Sequence, residues 1–158
     1  MGGFDLKWTG YVQAWYQTKD DTQSSFLVKR TRFTLTGEPS PWAAFRLQPM
    51  FDSDVSLNLL DAAVIVKPHP SVHFWVGQFL TPFGQNRMVA PHHLEFANFQ
   101  QNSKVFPGTL SDLDRDVGAQ AVVSLPYAEA RFGAFNGAGI NVTKDTDTIK
   151  DLSGRIEF

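Results

Sequence analysis

Between residues 4 and 17 the chain alternates: Phe4, Leu6, Trp8, Gly10, Val12, Ala14 and Tyr16 share one parity, and Asp5, Lys7, Thr9, Tyr11, Gln13, Trp15 and Gln17 share the other. Side chains point to opposite sides at successive positions of an extended chain, so this is a strand with one apolar and one mostly polar face. Residues 27–36 repeat the pattern, with Leu27, Thr31, Phe33 and Leu35 opposite Arg30, Arg32, Thr34 and Thr36. Residues 42–51 set Ala43, Phe45, Leu47 and Phe51 opposite Arg46 and Gln48. Five further segments, 61–67, 72–80, 116–125, 130–136 and 151–158, read as strands of lower contrast, where Val, Phe and Trp enrichment favours strand over helix. In 61–67 and 72–80 both parities are partly apolar, so alternation alone leaves their faces open. Helical spacing recurs weakly within 88–101, at His93, Phe96 and Phe99, which allows one short helix.

Connector lengths take turns. Residues 18–25, 52–60, 81–115 and 138–150 are the longer connectors, and 38–41, 67–71 and 126–129 are the short ones. In an up-and-down antiparallel sheet successive connectors lie at opposite ends, so one rim carries tight turns and the other carries loops. Transmembrane barrels have this asymmetry, with short periplasmic turns and long outer loops, whereas a soluble sandwich has no such requirement. The expected fold is therefore all-β, an antiparallel up-and-down transmembrane β-barrel, as one domain over residues 1–158.

Lipid is also the simplest acceptor for the apolar parity. A protein core would require a second layer, and the sequence offers neither amphipathic helices nor a second strand set to supply one. Trp8, Tyr16, Phe45 and Phe51 lie toward segment ends, where interfacial girdles place aromatic rings. Lys29 has the outward parity but stands beside a connector, where its ammonium is expected to snorkel.

The inward parity carries Lys7, Arg30, Arg32, Arg46, Lys67, Arg131 and Arg155 against Asp5, Asp61, Asp116, Asp151 and Glu157. The acids are expected near strand ends, and Arg30, Arg32 and Arg46 further inside. Arg30 and Arg32 are two residues apart, about 6.5 to 7 Å along the wall. Guanidiniums on a wet wall concentrate anions and offer forked donors to phosphate or carboxylate. The alternative is that they pair with the acids and only stiffen the wall.

Composition closes off other classes. With 14 basic against 16 acidic side chains and a formal net charge of −2, nothing calls for a nucleic-acid partner. The absence of cysteine rules out disulfide scaffolds, thiol catalysis and Cys-based zinc sites. No window approaches the ~20 uncharged apolar residues of a membrane helix. Met1-Gly2-Gly3 runs directly into strand-like sequence with no signal peptide, so an exported form is expected to have had its leader removed or never included.

Several runs resemble the phosphate-selective porin O and P family of outer-membrane barrels. They are Phe26-Leu-Val-Lys-Arg-Thr-Arg-Phe-Thr-Leu-Thr-Gly37, Leu60-Asp-Ala-Ala-Val-Ile-Val-Lys-Pro68, Val76-Gly-Gln-Phe-Leu-Thr-Pro-Phe-Gly84, Arg115-Asp-Val-Gly-Ala-Gln120 and Gly133-Ala-Phe-Asn-Gly137, in the family's order. The resemblance implies a sixteen-stranded homotrimeric channel of the bacterial outer membrane, in contact with lipid and lipopolysaccharide and passing small anions such as phosphate or less defined solutes. It matches Arg30 and Arg32 to the basic pair of the family's second strand. It also makes residues 81–115 a constriction loop folded into the lumen, carrying Arg87, His92, His93 and Lys104. Leu80 departs from the family, where many members have a lysine, and the loop is rich in Asn, Gln and His, both of which argue against strong phosphate selectivity. Eight strand segments are half of sixteen, so the chain is expected to be the N-terminal portion of a longer porin. Phe158, on one parity with Leu152 and Ile156, fits either a terminal aromatic signal or a longer strand cut short.

Other chemistry finds little support. His92 and His93 point opposite ways on an extended chain, and only Glu95 stands near them as a further ligand. Asp112-Leu-Asp-Arg-Asp116 lacks the glycine and terminal glutamate of a calcium loop. Ser103, His92, His93, Asp112, Asp114 and Asp116 lie in or beside one loop, but no spacing orients a base on a nucleophile. The expectation is a passive porin that is not an enzyme, needs no cofactor or metal, and is lined by Lys7, Arg30, Arg32, Arg46 and Arg131. The competing readings are a non-conducting structural barrel and an outer-membrane hydrolase.

Overall fold

The computed structural model describes residues 5–19, 23–52, 56–82, 115–142, 144–145 and 148–158. These residues build one sheet of eight strands and, among them, no helix. The strands are β1 (Asp5–Lys19), β2 (Gln23–Ser40), β3 (Ala43–Asp52), β4 (Leu57–His69), β5 (Val72–Leu80), β6 (Arg115–Leu125), β7 (Ala128–Phe135) and β8 (Asp151–Glu157). Each pairs antiparallel with its neighbour in sequence, giving the order β1-β2-β3-β4-β5-β6-β7-β8. Tight turns at residues 41–42, 70–71 and 126–127 occupy one rim. At the other rim residues 53–56, 81–114 and 136–150 separate the strands, as connector alternation predicts. The first connector is shorter than expected, because β1 runs to Lys19 and β2 begins at Gln23. The short helix expected within 88–101 falls outside the described residues.

The two faces are sorted in the reverse of a soluble domain. Leu6, Trp8, Val12 and Tyr16 of β1 are exposed, as are Phe33, Leu47, Val64, Val66, Phe74, Val76, Phe132, Leu152 and Ile156 on the same face of the later strands. Opposite them Arg32, Gln48, Asp61, Asp116 and Gln120 are buried. This also assigns the strands that alternation left open: Val64, Val66, Phe74 and Val76 lie on the apolar face, and Ala63, Ile65 and Trp75 on the polar one. Large aromatic rings mark both ends of the apolar face. Trp8, Trp42 and Tyr127 lie toward the tight turns, and Tyr16, Phe26 and Phe51 toward the other rim. Trp8 and Tyr16 are eight residues apart, about 26 Å along an extended strand.

Two bulges keep the faces pure. Arg30 pairs with Gln13 and Val28 with Ala14, so Lys29 is an extra residue. The insertion puts Phe26 and Val28 on the apolar face together with Thr31, Phe33 and Leu35, although their parities differ. It also corrects two expectations: Leu27 falls on the polar face opposite Trp15, and Lys29 does not snorkel outward but lies over the Trp15 ring, 5.7 Å from its centroid. The second bulge, at Leu60 of β4, shifts the pairing from Gln48–Asp61 to Pro49–Leu59.

The sheet bends toward its polar side. Arg115 Nη2 of β6 lies 3.3 Å from Gln48 Oε1 of β3, although three strand spacings amount to about 14 Å in a flat sheet. The Phe79 ring of β5 meets Phe135 of β7 at 5.6 Å across β6, and Trp75 packs against Phe79 at 5.7 Å. Phe135 fits because Gly118 and Gly133 lie beneath it; a Cβ on either would sit 2.6 Å from its ring. With Ala63 these rings form the one apolar cluster of the polar face among the described residues. Phe135→Ala should destabilise the protein by about 3–5 kcal/mol, read as a lower urea midpoint in detergent with an unchanged transition slope.

Candidate functional site

The polar face concentrates its charge where β2, β3 and β4 lie side by side. Asp61, only 4% exposed, accepts from Arg46 Nε at Oδ2 and from Arg115 Nε at Oδ1, both at 2.7 Å. Gln48 joins the group by accepting from Arg115 and donating to Thr34 Oγ1. Arg32, 9% exposed, directs Nη2 at the Met50 sulfur at 3.5 Å and lies 5.7 Å from the Tyr11 ring centroid, while its buried Nε has no hydrogen-bond partner among the described residues. Arg30, level with Gln13 of β1 and opposite Asp52 of β3, adds a further guanidinium. Arg46 and Arg115 thus share one carboxylate, with Arg30 and Arg32 on the neighbouring strand.

Arg115 was not among the residues that sequence reasoning marked as lining. It closes the long third connector and shares the parity of Val117 and Ala119, yet at the end of β6, where the sheet bends, its side chain reaches across β5 to Asp61. Asp61 is likewise not at a strand end as expected. Strand β4 begins at Leu57, so the carboxylate stands well inside the wall.

Toward the tight turns the charges are matched one to one. Lys7 pairs with Asp5 at 3.4 Å, Lys67 with Glu38 at 2.8 Å, Arg131 with Glu129 at 2.6 Å and Arg155 with Glu157 at 2.8 Å. Three of these four pairs join residues two apart on one strand, the closest same-face spacing a strand allows. Lys7 and Arg131 therefore lie on the polar face as expected, but each has a neutralising partner beside it. Partly exposed pairs of this kind contribute little stability, roughly 0–1 kcal/mol each.

Of the residues expected in a constriction loop, Arg87, His92, His93 and Lys104 lie outside the described residues. The chain that enters this connector is described at Thr81 and Pro82, both buried, and the Pro82 carbonyl accepts from Ser153 Oγ of β8 at 3.3 Å. Ser153 is level with Gly133 in the middle of its strand, so the chain leaving β5 turns across β6 and β7.

Comparison with protein-family models and with curated proteins gives no match.

The arrangement makes Asp61 the anchor of the basic cluster. Asp61→Asn removes the charged acceptor that Arg46 and the buried Arg115 both bond and should cost about 3 kcal/mol, measured by equilibrium unfolding. Glu157→Gln at the tight rim should cost under about 1 kcal/mol.

Proposed function

We propose that this chain forms the wall of a transmembrane β-barrel in a bacterial outer membrane and acts as a porin for small anionic or polar solutes. The observation that carries the reading is the sorting of the faces: an exposed apolar face spanning all eight strands, with aromatic rings toward both rims, backs onto a face of buried charge. An apolar surface of that extent is far beyond what a soluble monomer leaves to water. Its span suits a bilayer. The ~26 Å between Trp8 and Tyr16 becomes about 20 Å of height at the ~40° tilt usual for such strands, near the ~25 Å apolar band of outer-membrane barrels.

Passage is diffusive and has no chemical step. Solutes would move along the concave polar face, where Arg30 and Arg32 add positive charge and Arg46 and Arg115 share Asp61. The turn of Thr81 and Pro82 over β6 and β7 supports the expectation that the third connector narrows the bore. A conducting bore requires more strands than these eight, since an eight-stranded barrel is filled by its own side chains; the sixteen-stranded trimer implied by the porin resemblance would supply them. Lipid and lipopolysaccharide would contact the apolar face.

A second reading, a non-conducting barrel, is favoured by the packed Trp75, Phe79 and Phe135 on the polar side, which fill space a channel would leave open. Single-channel recording in planar bilayers separates the two, because a filled barrel shows no conductance steps. For the porin, replacing Arg30, Arg32 and Arg46 together with glutamine should lower anion over cation permeability, seen as a shift of the zero-current potential in a salt gradient. An unchanged potential would remove these arginines from the mechanism. In lipid vesicles Val64→Arg, in the middle of the apolar face, should cost about 2–4 kcal/mol of folding stability; no cost would place that face in water.

A further inference from the structure

The placement of Asp61 depends on a break in the sheet. Leu57 and Asp61 have the same parity in sequence, yet Leu57 is exposed on the apolar face and Asp61 is buried on the polar one. Only the extra residue at Leu60 allows both. Beyond this point the β4–β5 pairing stops, its last rung being Ala62–Gln78. The carboxamide of Gln78 continues where the ladder ends: Nε2 donates to the carbonyls of Leu59 at 2.5 Å and Leu60 at 3.1 Å. Gly77 brings the two strands this close. Its φ is 130°, and a Cβ there would meet the Ala62 carbonyl oxygen at 2.2 Å.

Gln78 is held from its other side by the connector between β7 and β8. The Asn141 backbone N–H donates to Gln78 Oε1 at 2.7 Å, and Asn141 Oδ1 lies 3.2 Å from Gln78 Nε2. Asn141 Nδ2 also reaches Asn58 Oδ1 of β4 at 3.5 Å, and the residue has φ 60°, which asparagine tolerates better than most. Residues 136–142 reach this position by folding back over β6, where Gly137 N–H donates to Asp116 Oδ2 at 2.5 Å. A half-buried connector is thus joined by hydrogen bonds, through one buried amide, to the bulge that orients the carboxylate of the basic cluster.

We infer that residues 136–142 form a strap which, acting through Gln78 and the Leu60 bulge, positions Asp61 between Arg46 and Arg115 and so sets how much of their charge is open to a passing anion. The inference rests on the porin reading for its functional consequence. Gln78 hydrogen-bonds no charged group among the described residues, so it is a positioning residue that acts through Asp61. When the strap is seated, Asp61 neutralises part of the cluster. When it lifts, the bulge loses the amide that closes it, Asp61 is released and the wall becomes more attractive to anions.

The test is Gln78→Met, which keeps side-chain length and removes the amide, made in the whole chain and in its Asp61→Asn background. Hydrogen exchange at the Asn141 amide should quicken about fivefold, the factor for losing one hydrogen bond. The NMR signal of Arg115 Nε–H should move because its acceptor moves. In bilayers the anion over cation permeability should rise in the otherwise unaltered chain and stay constant when Asp61 is already Asn. Unchanged Asn141 exchange would overturn the strap, and an equal permeability shift in both backgrounds would overturn its action through Asp61. If neither chain conducts, the porin reading fails, while the exchange rate and the Arg115 signal still decide the strap. Should Gln78→Met not fold, Asn141→Gly keeps the backbone conformation and its N–H bond to Gln78 and removes the side-chain contacts; it is judged by the Arg115 signal and by permeability in both backgrounds, an unchanged Arg115 signal overturning the strap.

Discussion

Charge and hydrocarbon surface cannot share one side of a sheet without cost, and this chain keeps them apart through eight strands by a two-residue repeat. A strict repeat would fail twice. Without the extra residue at Lys29, either Phe26 and Val28 or Phe33 and Leu35 would turn onto the side of Arg30 and Arg32. Without the one at Leu60, either Leu57 would enter the polar face or Asp61 would enter the apolar one. A bulge resets parity at the expense of one ladder position. The structure meets that expense locally: Gln78 bonds the carbonyls beside Leu60, and Lys29 finds the face of Trp15.

The bend of the sheet then determines which residues meet. In a flat sheet Arg115 and Gln48 would stand too far apart to bond, and Phe79 and Phe135 would be separated by a whole strand. Concavity brings both pairs together, and it divides the polar face into regions of different character. Guanidiniums gather on the β2–β4 side, and aromatic rings gather over glycines on the β5–β7 side. The glycines follow from this geometry, because a ring pressed against the sheet needs a strand position with no Cβ beneath it.

Much of this was legible in the sequence, for a simple reason. Strand number, direction and the faces of β1 and β3 follow from alternation and connector length, which are local properties. What alternation could not show was where it is interrupted. Nothing in Phe26-Leu-Val-Lys-Arg marks Lys29 as the inserted residue, since a bulge is settled by pairing with β1, so Lys29 and Leu27 were assigned to the wrong side. The basic cluster was half visible. Arg30, Arg32 and Arg46 show by parity, but Arg115 has the parity of Val117 and Ala119 and joins only at the strand's end, where the sheet curves, and Asp61 looks terminal because Leu57 to Leu60 do not alternate. The matched pairs at the tight rim could have been found, since Asp5 and Lys7, Glu129 and Arg131, and Arg155 and Glu157 each stand two apart.

The two arginines of β2 bear directly on what occupies the polar side. Arg30 and Arg32 stand about 7 Å apart on one face. Their repulsion is about 0.6 kcal/mol through water and about 2.4 kcal/mol at the effective dielectric of a protein surface. Arg32 is buried, so the larger figure applies, and its side chain meets the ring of Tyr11 and the sulfur of Met50. Two cations this close make this stretch of the face less favourable when dry and more favourable once an anion or water enters it. That is the physical reason to prefer a hydrated, anion-attracting lumen over a packed interior on the β2–β4 side, even though the rings of β5 and β7 are packed.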